Sequence, residues 1–188
     1  MTGSVLPVEG GFTFRPVARS DYPTLRRWLL TPHVARWWAD DSSDEGLEEM
    51  YGGCIDGTEP AEVFIAERAG RAIGLVQRFR IDAYSQYREE IAALTHIPAG
   101  TSSIDYLIGP PDAIGRGWGT ELIRSFTTRL WRDDTGAVSI IVPVHAENIP
   151  SWRVLENAGF RRVAAGDLTP DNPVDTTDHF IYQLDRTR

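Results

Sequence analysis

The sequence predicts a mixed α/β fold, and three observations carry that reading. Strand-like segments joined by short turns crowd the first half of the chain. The second half alternates strand with helix, and Gly or Pro closes most of these segments. Antiparallel strands first, then strand–helix–strand–helix–strand, describe a sheet flanked by helices. The 188 residues suffice for one domain with a sizeable core and are short for two. Residues 1–188 are therefore read as one domain.

The elements follow in order. Phe12-Thr13-Phe14-Arg15-Pro16-Val17 alternates and is stopped by its proline, as a first strand should be. Ser20-Asp21 offers an N-cap, Pro23 suits an opening turn, and Leu25, Trp28 and Leu29 share one helix face. Pro32 interrupts that helix and starts a short piece through Val34, Trp37 and Trp38. The acidic stretch Asp40 to Glu49 is expected to hold a mobile loop and then a helix. Val63–Glu67 and Ala72–Phe79 read as a hairpin around Ala69-Gly70-Arg71. Asp82 to Thr95 is polar and Tyr-rich, either loop or irregular helix. Ser103–Ile108 is a strand ended by Gly109-Pro110-Pro111, and a helix from about Gly117 to Asp133 puts Leu122, Ile123, Phe126 and Leu130 on one face. Val138–Val144 is a buried strand, Pro150–Ala158 a helix closed by Gly159, and Phe180–Leu184 the final strand.

Composition narrows the class. With 41% hydrophobic and 24% charged residues the chain reads as an ordinary globular protein. No apolar run approaches the ~20 residues of a membrane span, and the N-terminus lacks a basic-then-apolar leader. The lone Cys54 precludes an internal disulfide, is placed in a loop far from the chemistry, and fits a reducing cytosol. A net charge of −8 speaks against a nucleic-acid surface and suits a small polycationic substrate, although it also suits any acidic surface. All nineteen basic residues are Arg, which removes a catalytic lysine. His33, His96, His145 and His179 show no metal-ligand spacing, so no metal is expected.

Two segments carry chemistry. In the first, Ile104-Asp105-Tyr106-Leu107-Ile108-Gly109 leads into Gly115-Arg116-Gly117-Trp118-Gly119-Thr120. Alternating glycines at a helix start let backbone N–H groups approach an anion such as a pyrophosphate. Alone, such a loop is equally a structural turn. No Lys-Ser/Thr follows, unlike a P-loop, and no βαβ start precedes it, unlike a dinucleotide fingerprint. The second segment is Asn148-Ile149-Pro150-Ser151-Trp152-Arg153-Val154-Leu155-Glu156-Asn157-Ala158-Gly159-Phe160, just beyond a buried strand.

Together these closely resemble the paired signatures of the GNAT acetyltransferases, in order and in spacing, and Phe12 to Trp28 matches that family's opening strand and helix. The resemblance implies a mostly antiparallel sheet, splayed where acetyl-CoA binds. The amides around Gly115, Arg116, Gly117, Trp118, Gly119 and Thr120 would hold the coenzyme A pyrophosphate. Tyr106, Leu107 and Ile108 would hydrogen-bond the pantetheine arm, and Asn148 and Ser151 would contact it from the other side. Leu155 departs from the tyrosine that many members use to protonate the thiolate, which leaves water, Tyr106, Tyr182 or no acid.

Within the superfamily the chain looks like the aminoglycoside 6'-N-acetyltransferases. Trp28-Leu29 and Pro32-His33-Val34-Ala35-Arg36-Trp37-Trp38 are similar to the run that lines their acceptor cleft, though either tryptophan could equally pack a helix. Asp105 matches their general base, since a carboxylate can anchor an ammonium and take its proton; a strand-edge charge paired with an arginine is the plainer reading. Asp40, Asp41, Asp44, Glu89, Glu90 and Asp178 are expected to face the cleft as a group. Gln77 is a further contact, and Glu147 or His145 stands where the resistance enzymes have Asp-Pro. The expected reaction is direct transfer from acetyl-CoA to a primary amine in a ternary complex, in a cytoplasmic monomer or homodimer. A siderophore precursor or protein N-terminus as acceptor, or a catalytically silent CoA sensor, are the alternatives.

Overall fold

A computed structural model describes residues 11–170 and 172–187. Seven strands form one sheet: β1 (Phe12–Pro16), β2 (Glu62–Arg68), β3 (Arg71–Arg80), β4 (Thr101–Ile108), β5 (Ser139–His145), β6 (Arg161–Asp167) and β7 (Asp178–Asp185). Their spatial order is β1-β2-β3-β4-β5-β7-β6. Every neighbouring pair is antiparallel except β4 and β5, which run parallel. The helices are α1 (Tyr22–Leu29), α2 (Pro32–Ala35), α3 (Asp44–Asp56), α4 (Ser85–Ala92), α5 (Trp118–Asp133) and α6 (Ile149–Ala158).

Strand alternation sorts the core into two sides. Phe64, Val76, Ile104, Ile140 and Val142 point to one face and pack on α5 and α6. The α5 contribution is Leu122, Ile123, Phe126 and Leu130, all fully buried. Each of these stabilises by roughly 1.5–3 kcal/mol through removal from water. Val63, Ile65, Leu75 and Leu107 point the other way, onto Leu25, Trp28, Leu47 and Tyr51 of α1 and α3. A third cluster joins Ile91 of α4 to Ile141 and Ile181 further along that second face.

The hydrogen-bond ladder between β4 and β5 is short. Thr101 pairs with Ser139 and Ser102 with Ile140; beyond these the strands run on to Ile108 and His145 without pairing. Each strand is held on its outer side instead, β4 by β3 and β5 by β7. Pro143 brings no N–H to a ladder and stands in the unpaired stretch of β5. At the end of β4, a Cβ on Gly109 would lie 2.1 Å from the ring of Trp28, so only glycine lets α1 close over that strand end.

Several sequence expectations change. Cys54 lies within α3, not in a loop, because that helix runs on to a left-handed cap at Gly57. The polar segment after Asp82 is a short helix, α4. Both hairpin strands are longer than expected and β4 begins at Thr101. Asp178 opens β7 rather than preceding it. The strand β6 was not expected at all: Arg161-Arg162-Val163-Ala164-Ala165-Gly166-Asp167 has weak strand propensity and a register shift after Arg162, and it exists through its ladder with β7. Among the described residues no helix is long and apolar enough to cross a membrane.

Asp21 fastens the first crossover. Its carboxylate accepts two bonds from Arg15 at 2.7 Å and one from the Ala18 N–H at 2.9 Å. Burial pushes this carboxyl up, but the Arg15 and Ala18 bonds outweigh burial and hold it below its ordinary value. Stability from Asp21 is therefore complete above the unfolded-state pKa of ~4 and lost as pH falls through the depressed native value. Asp21→Asn should lose about 1–3 kcal/mol at pH 7. In denaturant titrations across acid pH, the variant and parent curves should converge; a constant offset at every pH would contradict this origin.

Candidate active site

The short β4–β5 ladder opens a cavity of about 890 Å³. Its walls come from both faces of the sheet. Gln77, Asp105, Pro143, His145 and His179 line it from the α1–α4 side. Ile104, Tyr106, Val142 and Val144, which point to the α5–α6 side, also line it, as do Asn148 and Ser151. The cavity thus passes through the sheet where β4 and β5 part. Trp37, Trp38, Tyr84 and Tyr87 supply much of the remaining wall.

Asp105 stands opposite Gln77 in the β3–β4 register, and the Gln77 amide nitrogen lies 3.5 Å from Asp105 Oδ2. Tyr106, the next residue, points to the other face. Its hydroxyl lies 2.8 Å from the Ser151 hydroxyl and donates to the Ser151 carbonyl at 3.0 Å, which ties β4 to the first turn of α6. Burial pushes this phenol above the ordinary tyrosine range, so it stays protonated at neutral pH. Asn148 caps α6, its side-chain oxygen accepting from the Ser151 N–H at 3.3 Å. Leu155 is fully buried in the core. The Tyr182 hydroxyl donates to Glu156 at 3.0 Å away from the cavity, and burial, aided by that bond, pushes it up to about 12.

The glycine loop lies outside this cavity, beyond the end of β4. Gly117 caps α5 with φ +76°, a left-handed conformation costly for any residue with a Cβ. The N–H groups of Trp118, Gly119 and Thr120 open the helix and have no intrahelical acceptor. Leu107 is buried against α1 and Ile108 is half-buried. Arg116 arches back to the Asp112 carbonyl at 2.6 Å and lies over the Trp118 ring.

The expected carboxylates divide. Asp40, Glu90 and Asp105 line the cavity; Asp41, Asp44, Glu89, Glu147 and Asp178 do not. Asp41 accepts from the Ser43 N–H and hydroxyl at the start of α3, and Asp44 pairs with Arg26. Glu89 is exposed on α4, Glu147 lies 3.6 Å from Arg36, and Asp178 accepts weakly from Thr176. Asp175, absent from the sequence expectations, lines the wall with only 7% of its side chain exposed. Its signal is its ion pair with Arg36, across 139 positions of sequence. Among the described residues no arginine lines the cavity. His33 hydrogen-bonds the Ile108 carbonyl at 2.9 Å and so packs at the strand end.

His145 is held in one tautomer. Its Nδ1 accepts from the Glu147 N–H at 3.2 Å, so Nε2 carries the proton and donates to the Thr176 carbonyl at 3.1 Å. The His179 ring lies edge-on to it at 5.4 Å and Trp37 at 5.6 Å. Both His145 nitrogens are engaged, so this ring is a wall and not a base. Nitrogen-15 NMR of the imidazoles is expected to report the Nε2–H form for His145; an Nδ1–H form would contradict the bonding described.

Comparison with known proteins identifies the fold and the family. Residues 17–168 match the family model described as an acetyltransferase (GNAT) domain. The aminoglycoside N(6')-acetyltransferase type 1 of Klebsiella pneumoniae is 27% identical over 180 residues, spanning 94% of this chain and 86% of its own length. A protein of the same description from Serratia marcescens matches equally. The solved structure of aminoglycoside acetyltransferase AAC(6')-Ib with coenzyme A and kanamycin superposes with a TM-score of 0.79 at 25% identity, covering 94% of this chain and 95% of that one. The same enzyme with acetyl-CoA, at 24% identity and TM-score 0.79, covers 94% of each chain and shows the shared fold. The matched residues make up most of the chain, and the protein belongs to the GNAT-domain acetyltransferases.

Proposed function

We propose that this chain transfers an acetyl group from acetyl-CoA to a primary amine of a small polycationic sugar, the 6'-amine of an aminoglycoside, by direct attack in a ternary complex. The observation that carries this reading is the cavity. It is large enough for a drug-sized ligand, walled by aromatics, and lined by Asp40, Glu90, Asp105 and Asp175, with no arginine among the described lining residues. Removing a polycation from water requires such carboxylates. The relatives of known acceptor, which act on or bind aminoglycosides, support the same class.

The donor side fits as well. The N–H groups at Trp118 to Thr120, with those of Gly115 to Gly117, suit a pyrophosphate, and the dipole of α5 favours its charge. The unpaired edges of β4 at Tyr106 to Ile108 and of β5 offer backbone groups to an extended amide-bearing arm, with Asn148 and Ser151 beside it. Acetyl-CoA bound there supplies an activated thioester. Asp105, on the neighbouring strand position and steadied by Gln77, anchors the acceptor ammonium and takes its proton. The enclosing tryptophans exclude water and orient the amine. Tyr106, protonated, lining the cavity and fixed on Ser151, is the hydroxyl that would serve in place of the missing tyrosine at Leu155. We place the whole chain, residues 1–188, in one domain, because every described strand joins one sheet, and in a reducing cytosol, where its free Cys54 is stable.

The test is release of free thiol from acetyl-CoA with kanamycin A, which has a 6'-amine, and with kanamycin C, which has a 6'-hydroxyl. Turnover of the first alone is expected. Asp105→Asn should lower kcat by about 10²–10⁴-fold while leaving acetyl-CoA binding unchanged. Acetyl-CoA binding with no turnover of either sugar would refute the aminoglycoside assignment and direct the search to siderophore and peptide amines, or to a silent sensor.

A further inference from the structure

The guanidinium of Arg36, the residue that follows α2, sits where three parts of the chain meet. Its Nη1 donates to Asp175 Oδ1 at 2.6 Å, and its Nη2 lies 3.6 Å from Glu147 Oε2. Its central carbon stands 4.2 Å from the centre of the Trp37 ring. Two carboxylates and an indole face are the groups that hold an organic ammonium ion once its water is removed. The chain's own cation therefore occupies a ready-made cation site.

The two partners are unequal. Asp175 and Trp37 line the cavity, and the Asp175 side chain is only 7% exposed. Arg36 is 43% exposed and does not line the cavity. The carboxylate is fixed in the wall, whereas the guanidinium reaches it from outside on a long, rotatable stem. An Asp175 left without a cation would carry an uncompensated, nearly buried charge. An exposed guanidinium that swings away returns to water at little cost.

Resting on the reading of this cavity as the acceptor site, we propose that Arg36 is a placeholder cation. It neutralises Asp175 and Glu147 in the free protein and leaves when a second ammonium group of the acceptor takes its seat beside Trp37. With one amine presented to Asp105 and another in the place of Arg36, the exchange selects acceptors carrying at least two ammonium groups. Monoamines must bind with Arg36 in place and gain nothing from Asp175. The device explains how a carboxylate wall stays compact without its ligand. It makes Arg36 a specificity-determining residue of this chain.

Calorimetric titration with two probes, spermine and kanamycin A, tests this. Arg36→Gln removes the competitor and should tighten both by about fivefold (~1 kcal/mol). Arg36→Lys keeps a cation and should stay near the parent value, which separates occupancy by charge from loss of packing. Asp175→Asn should weaken both probes, and adding Arg36→Gln to it should give less than the roughly fivefold gain expected in the parent. Unchanged or weaker binding in Arg36→Gln would overturn the proposal and leave Arg36 as a simple tether of the 172–178 segment. Spermine binding does not depend on turnover. A protein that fails to acetylate kanamycin A but shows the spermine response would lose the acceptor assignment alone.

Discussion

The constraint on which the molecule depends is the failure of β4 and β5 to pair beyond Ser102 and Ile140. Backbone groups in a sheet interior normally find partners, because each one left dry and unpaired costs about as much as a lost hydrogen bond. Here complete ladders on the outer sides, β3 against β4 and β7 against β5, hold the parting strands in place. The bridge from Tyr106 to Ser151 then fixes α6 against the open side of β4. What results is a sheet with a built-in slot. The slot exposes strand edges for an extended ligand and lets a cavity on one face communicate with the other.

Electrostatics follow from that geometry. The chain carries a formal charge of −8, yet its arginines are mostly spent in ion pairs away from the slot, such as Arg19 with Glu48 and Asp56, or Arg71 with Asp112. These exposed pairs contribute little to stability individually. Their effect on the site is indirect: they leave the cavity wall to carboxylates and aromatic rings. At the other end, the opening amides of α5 present the opposite polarity to an anion. The proposed function assigns these two polarities to a phosphate-bearing donor at the helix start and a polycationic acceptor in the cavity.

Much of the fold was legible because periodicity reports burial. The faces of α1 and α5, the hairpin, and the strand before the glycine loop all repeat at the spacing their packing demands. The proposed donor residues stand out in the sequence for a related reason: they are contiguous, so Gly115 to Thr120 and Asn148 to Ser151 each read as a unit. The cavity wall proposed for the acceptor does not. Asp175 reaches it through a pairing with Arg36 far away in sequence. Glu147 lies against the same Arg36 without lining the cavity, and Asp178 accepts from its neighbour Thr176. Strand β6 escaped notice because an edge strand of small and charged residues is made by its neighbour and not by its own propensity.

In the proposed function the parted strands and the glycine loop form one donor site. Hydrogen–deuterium exchange with and without acetyl-CoA addresses it directly. Slower exchange is expected at Tyr106 to Ile108 and at Gly115 to Thr120 together, with the β2–β3 hairpin turn unaffected. Protection spread evenly over the sheet, or confined to residues outside these two segments while acetyl-CoA is bound, would contradict it.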